Sequence, residues 1–232
     1  MTSKKYFVGI DGCKNGWVSV GNNCNDFKKS VTMFKKKFSD IINDYPSNTV
    51  FLVDMPLMLS KKKKIRSCDI EAKIFLKKRK STIFFAPSLQ ALKAENYEQA
   101  NKINKKVTTC GLSKQSWNLF EKINEIQPYA YDKTVFEGHP ECSFAMYNRA
   151  PIEHSKTSVK GIFLRIEILN TIGFDLINLS KKLSDEINAK PDDLIDAAIL
   201  CWSAKRIING EASHIPRKIN KNVEHKKMLI YY

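Results

Sequence analysis

Acidic side chains lie where three predicted strands end. Asp11 follows the apolar run 6–10, Asp54 follows the run 49–53, and Glu137 lies near the end of the run 133–138. In an open α/β sheet, ligands gather outside the carboxyl ends of the strands. We therefore expect these three acids to mark a ligand-binding edge of the sheet.

Asp11 itself lies at the start of a turn that contains two glycines. The runs 6–10 and 17–20 are rich in aromatic and β-branched residues, and Gly12 and Gly16 lie between them, a pattern typical of a β-hairpin. A carboxylate at the end of a buried strand, beside glycines that leave the backbone accessible, is a usual place for a metal or phosphate contact. The alternative is that Asp11 only caps the turn. The later acids favour the metal role, because they supply neighbours for it.

A helix near the end of the chain carries further acids. Pro191 opens this helix, which is predicted to continue to Asn209, and Asp193 and Asp196 lie three residues apart on one face. Asp192 is four residues from Asp196 and is an alternative to Asp193. Acids in a first turn also favour the helix dipole by about 0.3–1 kcal/mol, which is a purely structural role. That role fits Asp196 less well, because it lies deeper in the helix among apolar residues, where a carboxylate needs a partner or a cation.

Four or five carboxylates brought together repel one another, and a divalent cation removes that repulsion. Hard oxygen ligands select Mg²⁺ or Mn²⁺. Two such ions about 3.5–4 Å apart activate water and stabilise the leaving oxygen in phosphodiester hydrolysis. The acidic residues therefore predict a site for Mg²⁺ or Mn²⁺.

The elements that must position these acids alternate between strands and helices. The periodicity predicts an antiparallel meander near the start of the chain and a central strand covered on both faces. Predicted strands are 6–10, 17–20, 30–34, 49–53, 133–138 and an edge strand at 228–232; predicted helices are 35–45, 68–78, one beginning at 88 or 97 and ending at 106, 115–126, 159–172, 176–187 and 192–209. We expect one α/β domain over residues 1–232. Residues 57 to about 130 form a helical insertion, a candidate lid or substrate-recognition element.

Composition limits the partners and the compartment. The 232 residues carry a net charge of +15, which permits an anionic partner such as nucleic acid. Nearly all of the positive charge is Lys, and an AT-rich genome would impose that bias on any solvated surface. No apolar run is long enough for a membrane span, and no secretory signal is present. The six cysteines form no Cys-x-x-Cys pair, so we expect reduced thiols in the cytoplasm, and small buried side chains rather than nucleophiles at Cys13 and Cys142.

The chain resembles proteins of the RNase H-like fold, and its last acidic motif resembles that of Holliday-junction resolvases. More narrowly, it resembles domain-of-unknown-function family 429, whose members are described as predicted nucleases of this fold. The likeness covers nearly the whole chain. The motifs that carry it are Gly9–Cys13 with Gly16–Val18, Asp54–Pro56, Arg66–Asp69 with Glu71–Ala72, Gly111–Gln115, Glu137–Glu141 with Ser143–Phe144, Lys156 with Gly161 and Arg165, and Asp192–Ala197.

The resemblance implies an RNase H-like mixed sheet, with an antiparallel meander and parallel strands, and a metal-dependent nuclease. It implies that Asp11 bridges two metal ions, that Asp54 holds one, and that Asp193 and Asp196 hold the other. It also implies that Glu137 or Glu141 adds a ligand or positions water. His139 would either shuttle a proton or be a structural histidine before Pro140. The candidates for phosphate contacts are Arg66, Arg79, Lys114, Lys156 and Arg165.

Each of those five basic residues has a solvated surface role as its alternative. Asp69 and Glu71 are expected either to pair with basic residues or to touch metal. The basic run Lys61–Lys64 is expected to be a phosphate contact or a solvated face.

Two other functions remain open beside phosphodiester hydrolysis by two metal ions. Sugar kinases and actin-like ATPases share the strand–Asp–Gly–hairpin start, but they normally need two such domains and a second glycine-rich phosphate loop, which this chain lacks. A non-catalytic nucleic-acid-binding module would keep the fold and the basic face, but it would not need four acids.

Overall fold

The computed structural model of the protein describes residues 5–61, 64–183, 189–218 and 228–232. The chain forms two compact units. Unit 1 contains Met1–Met55, Asp132–Ser213 and Tyr231–Tyr232, and unit 2 contains Pro56–Tyr131 and His214–Ile230. The strands are β1 (Phe7–Cys13), β2 (Gly16–Asn22), β3 (Val31–Lys35), β4 (Val50–Val53), β5 (Val135–Glu137), β6 (His214–Ile215) and β7 (Ile230–Tyr231). The helices are α1 (Phe38–Asn43), α2 (Ser67–Phe75), α3 (Tyr97–Thr108), α4 (Lys114–Asn118), α5 (Phe120–Ile126), α6 (Pro140–Tyr147), α7 (Val159–Ile172), α8 (Leu176–Ser180) and α9 (Pro191–Ile208).

Unit 1 is built on a five-stranded mixed sheet with the strand order β3-β2-β1-β4-β5. The strands β1, β2 and β3 form an antiparallel meander, and β4 and β5 add to it in parallel with β1. The predicted α/β class, with a meander plus parallel strands and flanking helices, is therefore confirmed. The apolar residues that predicted β1 and β4 are buried, as expected for strands covered on both faces.

The closest packing on this sheet is between β1 and α9. A Cβ atom placed on Gly9 would lie 2.1 Å from the Ala197 carbonyl oxygen and 2.2 Å from the Cys201 nitrogen. Only glycine allows the strand backbone to approach the helix backbone this closely. The apolar side chains of α9, including Ile199 and Leu200, are buried as a result. Each fully buried Leu or Ile side chain contributes about 1.5–3 kcal/mol, so this contact holds α9 in register on the sheet.

Unit 2 contains α2 to α5, with two short 3-10 segments between α2 and α3 and another directly after α5. A buried asparagine holds one of its loops: Asn104 accepts a hydrogen bond from the Ser88 backbone N–H at 2.8 Å and donates to the Cys110 carbonyl at 3.0 Å. An ion pair between Arg66 and Asp69 is buried in the same unit. In addition, Asp69 accepts the Ala86 N–H at 3.0 Å, so this acid organises the chain around it.

Several helix predictions needed correction. The predicted helix 115–126 is interrupted at Leu119, whose N–H bonds the Ser116 carbonyl in a tighter i→i−3 turn. The helix predicted to begin at 88 or 97 begins at Tyr97, where Asn96 caps it. The predicted helix 176–187 ends at Ser180, and its residues 184–187 lie outside the described part of the chain. Helix α6 was missed, because nearly all its residues are buried and no polar face marks its period.

Within the described ranges, no helix is both long enough and apolar enough to cross a bilayer.

Candidate metal centre

Two acids of unit 1 lie at the same end of neighbouring parallel strands. Ile10 of β1 is in register with Val53 of β4, and the Asp54 N–H donates to the Ile10 carbonyl at 3.0 Å. The next residue in each case is the acid. Asp54 directly follows β4, whereas Asp11 lies within β1 opposite Val18 and not at the start of the hairpin turn as predicted, because the ladder with β2 continues to Cys13. Asp11 is only 7% exposed. The parallel register is therefore what brings these two carboxylates together.

Helix α9 contributes acids from its first turns. Pro191 occupies the first helical position, where its missing N–H costs nothing. The Asp193 carboxylate accepts the Lys190 backbone N–H at 2.7 Å, and it thereby caps the helix. One turn further on, Asp196 is 2% exposed, and its Oδ1 atom has no hydrogen-bond partner within the described ranges. A buried carboxylate oxygen without a partner is costly, so this atom is suited to a cation.

The side chain of Lys156 reaches the acids of α9. Its Nζ atom lies 2.6 Å from Asp196 Oδ2 and 3.3 Å from Asp192 Oδ2. The Lys156 side chain is 35% exposed, whereas that of Asp196 is nearly inaccessible. The ammonium group therefore connects a buried acid to the solvent side of the site.

The carboxylates raise one another's pKa values. Burial raises the pKa of Asp11 well above its usual range, and repulsion from Asp54 and Asp196 adds to this effect. Burial also raises the pKa of Asp54 and of Asp196 to about 7, although the positive charge of Lys156 opposes both shifts. The pKa of Asp193 is raised by burial too. Near neutral pH, the nearby positive charge is therefore too small to keep all of these carboxyl groups ionised at once.

Lys156 responds in the opposite direction. Burial alone would lower its pKa, but attraction to Asp196, Asp11 and Asp54 outweighs burial and raises it. Lys156 therefore remains a cation, and it interacts with acids on three different elements. Lys190 also acts on Asp193, but two cations beside four acids still leave a net negative site in the described part of the chain, which suits a divalent ion.

Glu141 is held by a buried arginine. The Arg165 Nη2 atom donates to both Glu141 oxygens, at 2.6 and 2.8 Å, and Nη1 donates to the Gly161 carbonyl at 2.8 Å. The Arg165 side chain is 1% exposed, and it lies over the Phe144 ring at 5.5 Å. Glu141 and Arg165 thus form one buried ion pair, and the Glu141 charge also raises the pKa values of Asp54 and Asp196. The phosphate contact expected of Arg165 and the ligand role expected of Glu141 stay predictions.

Glu137 lies at the end of β5 and is buried. It is in register with Val53, the residue before Asp54, so it reaches the same end of the sheet. His139 follows at the N-terminal cap position of α6. Cys142 in that helix is buried, and burial together with the negative charges of Asp54 and Glu141 raises the pKa of its thiol. An ionised nucleophile is therefore disfavoured at Cys142, in agreement with the expected small buried side chain.

The remaining predicted contacts belong to unit 2. Arg66 is 4% exposed and donates to both oxygens of Asp69. The expected pairing of Asp69 with a basic residue is therefore confirmed, whereas the solvated surface role given as the alternative for Arg66 is wrong. Arg79 lies in the 3-10 segment Lys77–Thr82 and is half-buried, and its Nε atom has no hydrogen-bond partner in the described ranges. Lys114 is exposed and lies over the Tyr97 ring at 4.7 Å. Within the basic run 61–64, Lys62 and Lys63 lie outside the described residues.

The sequence did not predict two of the ion pairs in this part of the structure. One is the pairing of Lys156 with Asp196 and Asp192; the phosphate contact of Lys156 stays a prediction. Glu141 and Arg165 were assigned separate roles, but they form one ion pair. The only signal for either pair was a charge inside an apolar segment, which predicts that a partner exists and not which residue it is.

Comparison with known proteins gives a family. The family described as "Protein of unknown function (DUF429)" matches residues 9–221. No curated protein and no solved structure matched the chain.

Proposed function

The chain belongs to the DUF429 family of proteins of unknown function, and we propose that it is a divalent-metal-dependent nuclease that hydrolyses phosphodiester bonds of nucleic acid. The observation that carries this proposal is the group of buried acids on β1, β4 and α9, which raise one another's pKa values around a single lysine. The strand order β3-β2-β1-β4-β5, with one acid within β1 and another directly after β4, supports an RNase H-like architecture.

The residues present fit a hard divalent cation. Asp11, Asp54, Asp193 and Asp196 offer carboxylate oxygens, which Mg²⁺ and Mn²⁺ prefer. Asp196 contributes a buried oxygen with no hydrogen-bond partner in the described ranges. Asp193 already uses one oxygen to cap α9, so its other oxygen is the one available to an ion. These four residues would therefore hold the Mg²⁺ or Mn²⁺ ions.

Bound ions would supply Lewis acidity for the attacked phosphate and a lowered pKa for water. The protein contributes the fixed positions. β1 and β4 hold Asp11 and Asp54 through parallel hydrogen bonds, and α9 is fixed by its contact with Gly9. Lys156 neutralises Asp196 in the ion-free protein, and its exposed side makes it available to a substrate phosphate once Asp196 has another counter-charge. Glu137 and Glu141 are assigned to the same site as supporting acids.

Six free cysteines support the expectation of a reducing compartment, and we place the protein in the cytoplasm on that ground.

The test is cleavage of labelled RNA, single-stranded DNA, duplex DNA and a four-way junction with Mg²⁺, Mn²⁺ or EDTA. We expect cleavage that needs the ion. The Asp11→Asn variant should lose about 100-fold or more of the rate, and its affinity for Mn²⁺ in calorimetry should fall. Asp40→Asn in α1 is the matched control.

Two results would contradict the proposal together. One is the absence of cleavage of every substrate with either ion. The other is Mn²⁺ binding by Asp11→Asn that equals binding by the unaltered protein. A large thermal stabilisation by ATP, without cleavage, would favour a nucleotide phosphotransferase or ATPase instead.

A further inference from the structure

The net positive charge of the chain comes almost entirely from one of its two units. Unit 1 contains 18 Lys and Arg against 17 Asp and Glu, a net charge of +1. Unit 2 contains 21 Lys and Arg against 7 Asp and Glu, a net charge of +14, although it is the smaller unit. The proposed metal-binding acids all belong to unit 1.

Genome composition does not explain this division. A bias towards Lys codons acts on both units alike, so it would raise the charge of both. Unit 1 balances its cations with acids almost one for one, whereas unit 2 has three cations for each acid. The excess therefore reflects what the surface of unit 2 contacts. A large field of one sign attracts a partner of the opposite sign.

Several of the cations of unit 2 are exposed along one short segment. Residues Lys77–Lys80 are four consecutive basic residues in the 3-10 segment Lys77–Thr82. Lys77 and Lys80 lie three residues apart in this segment, and both are exposed. Between them, Arg79 has a buried Nε atom without a hydrogen-bond partner in the described ranges. That atom is inaccessible to solvent, so the phosphate contacts of this segment fall to the exposed ammonium groups of Lys77 and Lys80.

We propose that unit 2 is the nucleic-acid-binding part of the protein and that the segment Lys77–Lys80 makes its principal phosphate contacts. The inference rests on the proposed function for its choice of nucleic acid over other polyanions. Lys side chains act as point charges on the phosphate backbone, which carries no sequence information. Unit 2 therefore binds nucleic acid with little dependence on sequence and with a strong dependence on salt.

The test is fluorescence anisotropy of the full chain with labelled 20-nucleotide RNA and DNA strands in EDTA, where metal-dependent cleavage is stopped. The Lys77→Ala/Lys80→Ala variant is compared with Lys36→Ala/Lys37→Ala, which removes two exposed lysines from unit 1. We expect the unit 2 variant to bind about tenfold more weakly, and the slope of log K against log salt to fall by about 1 to 2. The unit 1 variant should change the affinity by less than about twofold.

Three outcomes would overturn the inference. They are equal losses of affinity in the two variants, no binding of RNA or DNA by the unaltered protein, and binding to phosphatidylserine vesicles in place of nucleic acid. The inference and the proposed function fail separately. If binding depends on Lys77 and Lys80 but no substrate is cleaved, the proposed nuclease activity is contradicted and the nucleic-acid-binding role of unit 2 is supported. If cleavage depends on the metal but both variants bind nucleic acid equally well, the nuclease activity is supported and the binding role of unit 2 is contradicted.

Discussion

At the scale of single residues, the site contains more negative charge than positive charge. Asp196 is buried with one oxygen on the Lys156 ammonium and the other without a hydrogen-bond partner in the described ranges. Asp11 and Asp54 add negative charge to the same site, and the Lys156 charge offsets it only in part, since burial and repulsion still raise both pKa values. An arrangement of this kind is unfavourable for stability alone, and sites built for ligand binding accept such a cost.

Lys156→Met should make the ion-free protein less stable and its response to Mn²⁺ larger. Removing the ammonium leaves Asp196 and Asp192 without their counter-charge. Because the Lys156 side chain is 35% exposed, solvent screens part of the loss, and we expect a cost of about 1–2 kcal/mol. Denaturant unfolding in EDTA measures the cost, and the same experiment in Mn²⁺ measures its recovery.

Lys160→Met in α7 is the control, because Lys160 is exposed and carries the same charge. If the two variants have the same free energy of unfolding in both conditions, Lys156 is not the counter-ion of the acids.

At the scale of elements, two contacts fix the site. The Gly9 contact positions α9 on β1. The Glu141–Arg165 ion pair joins α6 to α7 beside the acids. Both contacts are buried, so neither can relax easily when a side chain changes.

Gly9→Ala should destabilise unit 1 by about 3 kcal/mol or more. The added methyl group would overlap backbone atoms of α9, which cannot move aside as a flexible side chain can. Gly111→Ala is the matched control, because its Cβ would meet its nearest neighbour at 3.4 Å, an ordinary contact distance. Thermal and denaturant unfolding distinguish the two. If the two variants are equally stable, α9 and β1 are packed less closely at Gly9 than the distances above imply.

Arg165→Met should cost about 3–5 kcal/mol, because it leaves the Glu141 carboxylate buried without its partner. The double variant Glu141→Met/Arg165→Met should recover most of that stability, since it removes both charges. A double-mutant cycle of unfolding free energies measures the coupling. Independent effects of the two substitutions would show that the pair is not a structural unit, and would restore the separate roles predicted from sequence.

At the scale of the whole molecule, the excess positive charge and the proposed metal-binding acids belong to different units. The acids proposed to bind metal lie in a unit of nearly zero net charge, and the excess cations lie in the other unit. A separation of this kind lets one part of the chain attract a polyanion while the other keeps a negative site for cations.

The stability of the ion-free protein should fall as pH rises from about 4 to 7. The pKa values of Asp54 and Asp196 are near 7 in the folded protein and near 3.8 when unfolded, so the folded state holds more protons in that interval. Stability falls with pH wherever the folded state holds more protons, and the loss is complete above the folded pKa. Unfolding in EDTA across this range checks the slope.

The Asp54→Asn variant should show a shallower slope and be more stable than the unaltered protein above pH 7, by about 1–2 kcal/mol. With saturating Mn²⁺ the unaltered protein should reverse its trend, because binding requires deprotonated carboxylates. A flat profile in EDTA for both proteins would contradict the mutual repulsion of the acids.

The sequence by itself determined the presence of the five sheet strands, the acids on or beside them and the class of the sheet, but not where the strands end, since β1 continues three residues beyond its predicted end. These follow from local patterns: apolar runs of period two or without a period, glycine at turns, and proline at the start of α9. It did not reveal α6, because a helix buried on nearly all sides lacks the polar face that marks a helical period.

Only the tertiary structure decided which charges are partners. Lys156 and Asp196 are 40 positions apart, and Arg165 and Glu141 are 24 apart, so their meeting depends on how helices pack and not on spacing. The same holds for the charge of unit 2, which is assembled from two separate stretches of the chain. Local patterns report the environment that a residue needs, whereas long-range packing selects the residue that provides it.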